Sequence, residues 1–388
     1  MMKHVLNEIL LNMDLSGIRR FSEEANQVEG VIRLTIGEPM FDTPEPIKQT
    51  AIDALVANDT HYPFAQGLLS LRKAVCEFEK KTQDLDYSPD EVIITQGATG
   101  GLFTTINTIC RPGDEVIILL PAFTIYKPIV EFADANPVLL DISEDGFQIN
   151  EEKLRKVITS KTKAIIVNSP NNPSGISLSK QSNDILERII KEHDLYVLCD
   201  DVYNQLIFEE TDFLVRRKDI RKNIIYIQSF SKPYAMTGWR IGYVMADKEV
   251  ATEIAKVQSY GTSGVPPFVQ RAAITALSTD VSHMLKQYEI NMVKVTRLLS
   301  ERKIPHVKPQ GAFYLLVDIS SCNMDSWTFA RKLLSETKVA VIPGEVFGAA
   351  TDRYVRTSLA TDIKISLPAF ERIADFIDKY GQKVEEHA

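Results

Sequence analysis

Cysteine is scarce: four in 388 residues. Cys76, Cys110, Cys199 and Cys322 lie far apart, with no CxxC or CxxH spacing. That excludes a disulfide framework and a thiolate metal site, and a reducing cytoplasm is the expected compartment. The six histidines are scattered, and no pair has metal-ligand spacing. With 18 glycines and 18 prolines the chain is neither collagen-like nor linker-rich. No window reaches the ~18 uninterrupted apolar residues of a membrane span. The first helix-like stretch, Val5 to Leu15, is broken by Asn7, Glu8, Asn12 and Asp14, so no signal peptide is expected. Positive charge is in deficit as well: 44 Lys and Arg against 52 Asp and Glu give a net charge of −8. Such a chain is a poor candidate for binding nucleic acid or an anionic membrane.

What remains is ordinary globular composition, 44% hydrophobic and 25% charged, in a chain long enough for two or three domains. Between residues 92 and 246, short Val- and Ile-rich runs alternate with amphipathic stretches. The runs are Val92–Thr95, Val116–Leu120, Pro137–Leu140, Ala164–Asn168, Leu195–Asp200, Ile224–Ser229 and Ile241–Ala246. Continuous rather than alternating hydrophobicity predicts strands buried on both faces. Helical patterns at Gly100–Cys110, Thr124–Ala133, Glu151–Ile158 and Ser179–His193 lie between them. The alternation predicts an α/β fold with a mostly parallel, doubly wound, seven-stranded sheet. After Pro266 come a long helical stretch, Phe268 to Lys303, and strands at Ala312–Asp318, Val339–Ile342 and Tyr354–Leu359. Helices at Ser326–Thr337 and Pro368–Tyr380 complete a smaller α+β domain.

Open parallel sheets bind ligands at the carboxyl ends of their strands. The residues at those ends are Gln96-Gly97-Ala98-Thr99-Gly100-Gly101, Pro121-Ala122-Phe123, Asn168 to Gly175, Asp200-Asp201-Val202-Tyr203 and Ser229-Phe230-Ser231-Lys232. Small residues opening a helix admit a phosphate to backbone N–H groups; a tight turn accounts equally for Gly97 to Gly101. The segment is neither a Walker motif nor a dinucleotide fingerprint. A desolvated Lys232 beside Ser229 and Arg240 suits a Schiff base with a phosphorylated aldehyde. A carboxylate at Asp200 suits a protonated ring nitrogen, and a helix cap is its plain structural alternative. Asp201 serves as well on spacing alone. Ser229 to Lys232 also spells SxxK, but the SDN and KTG companions of a serine hydrolase are absent.

Ser229-Phe230-Ser231-Lys232 through Gly238-Trp239-Arg240-Ile241-Gly242 resembles the lysine signature of class I and II pyridoxal-phosphate aminotransferases of fold type I. The resemblance covers nearly the whole chain. Ile36-Gly37-Glu38-Pro39-Met40-Phe41-Asp42-Thr43-Pro44 is similar to the family's GEPDFDTP, and His61-Tyr62-Pro63 with Gly67 and Leu71-Arg72 to YxPxxGxxxLR. Asn172-Pro173-Ser174-Gly175 resembles NPTG, and Asp200-Asp201-Val202-Tyr203 resembles DExY. Lys308 to Tyr314 and Tyr354-Val355-Arg356 resemble the small-domain segments. Ser174, Asp201 and Met40 depart from the pattern without removing a catalytic group.

The resemblance implies pyridoxal 5'-phosphate as cofactor, linked to Lys232, which also serves as general acid and base. It implies that Asp200 faces the pyridine nitrogen, that Asn172 and Tyr203 bond the ring's phenolic oxygen and that Phe123 stacks on the ring. Gly97, Ala98, Thr99, Ser229 and Arg240 would hold the phosphate, with Tyr62 reaching it across a homodimer interface. Arg356 would clamp the substrate α-carboxylate, with Gly37, Phe123 and Asn172 nearby. The implied domains are a segment over residues 1–40 joining the small domain, a cofactor-binding domain over 41–280 and a small domain over 281–388. The implied reaction moves an amino group from an L-amino acid to a 2-oxo acid such as 2-oxoglutarate.

Some aspartate aminotransferases of the family carry a cation at the place of Thr99 or near the start of the long helix. This chain lacks one at Thr99 and from Ser259 to Pro267. Phe123 with Ile125 and Tyr126 could line an apolar pocket, and Pro121-Ala122-Phe123 and the small-domain segments resemble aromatic amino-acid aminotransferases. The resemblance therefore favours aromatic donors. Aspartate, N-acetyl-diaminopimelate and a C–S β-lyase reaction are the alternatives; the Leu15-Ser16-Gly17-Ile18-Arg19 region resembles N-acetyl-diaminopimelate aminotransferases. About 30 residues precede the Gly37 segment, which is expected to leave no room for an added DNA-binding domain.

Overall fold

A computed structural model describes residues 7–11, 13 and 15–381. The expected helix from Val5 to Leu15 lies partly outside these residues; Glu8–Leu11 is helical. All seven expected strands form one sheet, in the spatial order Val92–Thr95, Gly242–Met245, Ile224–Ser229, Tyr196–Asp200, Thr162–Val167, Glu115–Leu120, Asn136–Asp141. Only Gly242–Met245 runs antiparallel to its neighbours.

Burial on both faces holds for six of these strands, while in the edge strand Asn136–Asp141 only Leu140 is buried and Leu139 is exposed, since nothing flanks its outer side in the sheet. Val197 and Cys199 pack on one side with the helices Leu69–Gln83, Lys180–His193 and Pro267–Ser278, while Leu198 packs on the other with Gly97–Ile109, Tyr126–Phe132 and Lys248–Thr262. This parity settles where a strand-end side chain points.

The smaller sheet has four antiparallel strands in the order Ile342–Pro343, Tyr354–Ser358, Tyr314–Asp318, His306–Val307. Residues Phe21, Ala25 and Leu34 from the start of the chain share its core. Strand Ile32–Arg33 pairs in parallel with Val339–Ala340. Phe268 to Lys303 is two helices, Pro267–Ser278 and Ser282–Glu301. The last helix begins at Ile363 rather than Pro368, capped by the Asp362 carboxylate on the Lys364 N–H at 2.8 Å. Pro368, the sixth residue of that helix, has no N–H to donate to the Lys364 carbonyl.

Helices Gly17–Asn26, Glu45–Val56, Leu69–Gln83 and Lys248–Thr262 lie outside the alternation that marked the others. Leu69–Gln83 buries Arg72, Glu79 and Gln83 beside Leu71 and Val75, so its inward face is not an apolar stripe. Among the described residues no helix is long and apolar enough to cross a membrane.

Candidate active site

A cavity of about 200 Å³ opens at the carboxyl edge of the large sheet, walled on one side by the small sheet. It gathers Gly37, Ala98, Thr99, Phe123, Asn172, Asp200, Tyr203, Ser229, Lys232, Arg240 and Arg356 from the sequence-derived set. Gly97 stands just behind it. Its φ is +69°, a conformation that L side chains rarely adopt, and its bare backbone stands against the Arg240 guanidinium. Tyr62 is elsewhere, 94% exposed on the surface.

Asp200 ends its strand on the face of Leu198 and is 3% exposed. Tyr126 donates to Asp200 Oδ2 at 2.6 Å, whereas Oδ1 is buried without a partner. Burial pushes the Asp200 carboxyl up to about 6, against the pull of Tyr126, the Val202 N–H and Lys232. Asn168 fixes this strand end: its Nδ2 donates to the Asp200 carbonyl at 2.6 Å, and its Oδ1 accepts from the Asn172 N–H at 2.8 Å.

Asp201 takes the other face and does not line the cavity. It stands instead near buried Glu79, which accepts from Tyr243 and from Tyr226 at 3.3 Å. Asn204 and Gln228 donate to Tyr226 Oη at 2.8 and 2.7 Å. Burial drives Glu79 up to about 7 and Asp201 upward too, Asp201 further raised by the charges of Asp200 and Glu79. The choice that spacing left open falls to Asp200 as the acid in the cavity wall.

Lys232 donates to the Gly37 carbonyl. Burial lowers its amine to about 8; Arg240 and Arg356 act in the same sense, and Glu38 opposes them. Arg356, 2% exposed, lies between the rings of Tyr314 and Phe347, at 4.6 and 5.0 Å from their centroids. It donates to Asn172 Oδ1 at 3.2 Å and to the Thr35 carbonyl at 2.6 Å, and its Nε has no partner. Phe123 meets Tyr126 edge to face, 5.9 Å between centroids.

The sequence does not single out Thr35 or Leu102 as lining residues, and it names Ile18, Asn168, Val202, Ser231 and Tyr314 only within motifs or strand-end segments. Thr35 and Tyr314 come from the small-sheet side, where sequence order gives no measure of distance. Asn168 stood in a strand-end segment and had a signal, an amide directly after the apolar run.

The site fits pyridoxal phosphate on its own chemistry. The free Asp200 Oδ1 takes a ring N–H. The helix Gly97–Ile109 starts with no side chain capping it, leaving N–H groups for a phosphate beside Arg240, Ser229 and Ser231. Lys232 supplies an amine for the aldehyde.

Residues 29–372 match the family described as aminotransferase class I and II. The chain is 38% identical to the aspartate aminotransferase of Pyrococcus horikoshii, over 98% of this chain and 99% of that protein. It is 35% identical to a Bacillus subtilis protein named a probable N-acetyl-LL-diaminopimelate aminotransferase, over 99% of this chain and 98% of that one. The solved structure of an aromatic aminotransferase from Pyrococcus horikoshii matches with a TM-score of 0.87 at 36% identity, covering 92% of this chain and 99% of that chain. The chain belongs to the class I and II aminotransferases, pyridoxal-phosphate-dependent enzymes of fold type I. Three specificities at nearly equal identity leave the amino donor to be argued from the cavity.

Proposed function

We propose that this aminotransferase moves the amino group of an L-amino acid, aromatic donors favoured, to a 2-oxo acid such as 2-oxoglutarate by a ping-pong sequence. The observation that carries the reading is the convergence of Lys232, Asp200 and Arg356 on one cavity from three distant parts of the chain. Bound pyridoxal phosphate supplies the electron sink that makes the substrate Cα acidic. Asp200 holds the ring nitrogen protonated, with Tyr126 and Asn168 fixing its aim. Asn172 and Tyr203 bond the phenolic oxygen, and Phe123 covers the ring. Gly97, Ala98, Thr99, Ser229 and Arg240 grip the phosphate, and the partner copy's Tyr62 completes that grip in a cytoplasmic homodimer. Arg356 binds the α-carboxylate, which puts the Cα proton within reach of the Lys232 amine as general base. Gly37 lies where the chain covers the substrate. The cofactor domain spans 41–280 and the small domain 281–388, and the N-terminal segment over 1–40 joins the small domain, whose core Phe21, Ala25 and Leu34 share.

Among the described residues of this chain, the cations lining the cavity are Lys232, Arg240 and Arg356, each already assigned, while Ile18, Leu102, Phe123, Val202 and Tyr314 offer apolar and aromatic surface. A donor carboxylate side chain would be buried there without a partner, which is costly. A panel of amino donors with 2-oxoglutarate and the holoenzyme tests this: phenylalanine and tyrosine should outrun aspartate. Aspartate far ahead of both would overturn the donor preference. Pyruvate and thiol release from cystathionine, with no transfer to any 2-oxo acid, would make the enzyme a β-lyase.

A further inference from the structure

We propose that Tyr314 is a positioning residue that couples the cofactor-binding wall of the cavity to the carboxylate clamp, its hydroxyl serving Tyr203 and its ring serving Arg356. The inference rests on the reading of the cavity given above. Tyr314 begins the strand Tyr314–Asp318, in register opposite Ser358, with Leu316 opposite Arg356. Tyr314 and Arg356 are therefore diagonal neighbours on the antiparallel pair, close enough for long side chains to meet. The ring lies 4.6 Å from the Arg356 Cζ. A guanidinium as buried as that of Arg356 gains attraction and a fixed plane over an aromatic face. The hydroxyl lies 3.0 Å from the Tyr203 hydroxyl, both buried. Tyr203 has one proton. If it donates that proton to the cofactor's phenolic oxygen, its own oxygen must accept from Tyr314, which strengthens the donation.

Gly37 closes the arrangement on its third side, since a Cβ there would collide with the Tyr314 hydroxyl. The segment over the substrate thus packs on the same side chain that touches both binding walls. Tyr314 thus meets both Tyr203 and Arg356.

Two variants of the holoenzyme separate the two contacts. Tyr314→Phe keeps the ring and loses the hydroxyl; Tyr314→Leu loses both. Two properties are read without turnover: the pH midpoint of the bound cofactor's visible absorbance, and the Kd of 3-phenylpropionate, a carboxylate with no amine to react. Losing the hydroxyl leaves the phenolic oxygen more basic, so the midpoint should rise by about half a unit or more in both variants, the scale of one hydrogen bond. The Kd should stay within about twofold in Tyr314→Phe and rise about tenfold in Tyr314→Leu, the scale of a desolvated cation–π contact. An unmoved midpoint in Tyr314→Phe, or an unchanged Kd in Tyr314→Leu, overturns the coupling. A wild-type protein with no cofactor absorbance contradicts the reading of the cavity itself, which separates that failure from this one.

Discussion

Asp200 and Asp201 are adjacent, both buried, and turned to opposite faces of one sheet. Each carboxyl has one buried oxygen without a partner, Oδ1 of Asp200 and Oδ2 of Asp201, but of the two only Asp200, which accepts from Tyr126, borders the cavity where a ligand can complete it. On the rear face, Asp201 and Glu79 stand among Tyr226, Tyr243, Asn204 and Gln228, sealed behind the helix Leu69–Gln83. The same residue type at the same strand end is thus given to chemistry on one side and to the protein's interior on the other. What separates them is strand parity, one residue of offset. Substitutions on the cavity face should change turnover with small effects on stability, and those on the rear face the reverse.

The largest effect belongs to Lys232. Lys232→Ala removes both the covalent anchor and the acid–base group, and turnover should fall by at least about 10²–10⁴, the scale of losing one positioned proton carrier. A variant with wild-type rates would end the assignment. Asp200→Ala should follow. A charge-assisted hydrogen bond to the ring is worth about 1.5–3 kcal/mol, which is about ten- to more than a hundredfold in the chemical step. Asp201→Asn should leave kcat within about a factor of three, because it keeps the shape of a side chain that burial already favours as neutral. The reverse ranking of the two variants would break the comparison.

Arg356→Lys keeps the charge and loses the planar fork. KM should rise for every amino donor alike, by roughly tenfold to a hundredfold, in line with about 1.5–3 kcal/mol for charged hydrogen bonds. A rise confined to one donor would move Arg356 from the α-carboxylate to the side chain.

The smallest effect sharpens the rear face. Burial raises Glu79 to about 7 from its usual 4.5, so the folded protein holds a proton that the unfolded chain has released across that interval. Stability from this group is fully present below about 4.5 and is lost as pH rises toward 7. Thermal denaturation of the cofactor-free protein should give a Tm that declines between those limits. Glu79→Gln, which still accepts from Tyr226 and Tyr243, should flatten the decline. An equal slope in wild type and variant would place the titration elsewhere.

The large sheet and its edge were readable because each buried strand is a local run and each functional group follows within a few residues. Loops after consecutive strands must meet at one edge, so Asn172, Asp200 and Lys232 could be brought together by topology alone. The small-sheet wall has no such rule. Arg356 entered through the family resemblance, and Thr35 and Tyr314 became visible only in the structure, Thr35 as the carbonyl that accepts from Arg356 and Tyr314 as its diagonal neighbour across the strand pair. Tyr126 illustrates a different gap: it sits in a helix pattern as an apolar residue, and nothing local marks its hydroxyl as the partner of an acid 74 positions away. Helix Leu69–Gln83 was hidden for a related reason, since the polar residues it buries serve the rear-face network and interrupt the apolar spacing.

Attachment of the cofactor to Lys232 is the assignment on which the other roles depend. Borohydride reduction of the holoenzyme, followed by proteolysis and mass spectrometry, fixes that position. A single pyridoxyl group on the peptide containing Lys232, absent in Lys232→Ala, is the predicted result. A label on another lysine, or no label in a protein that still transfers amino groups, would contradict the account.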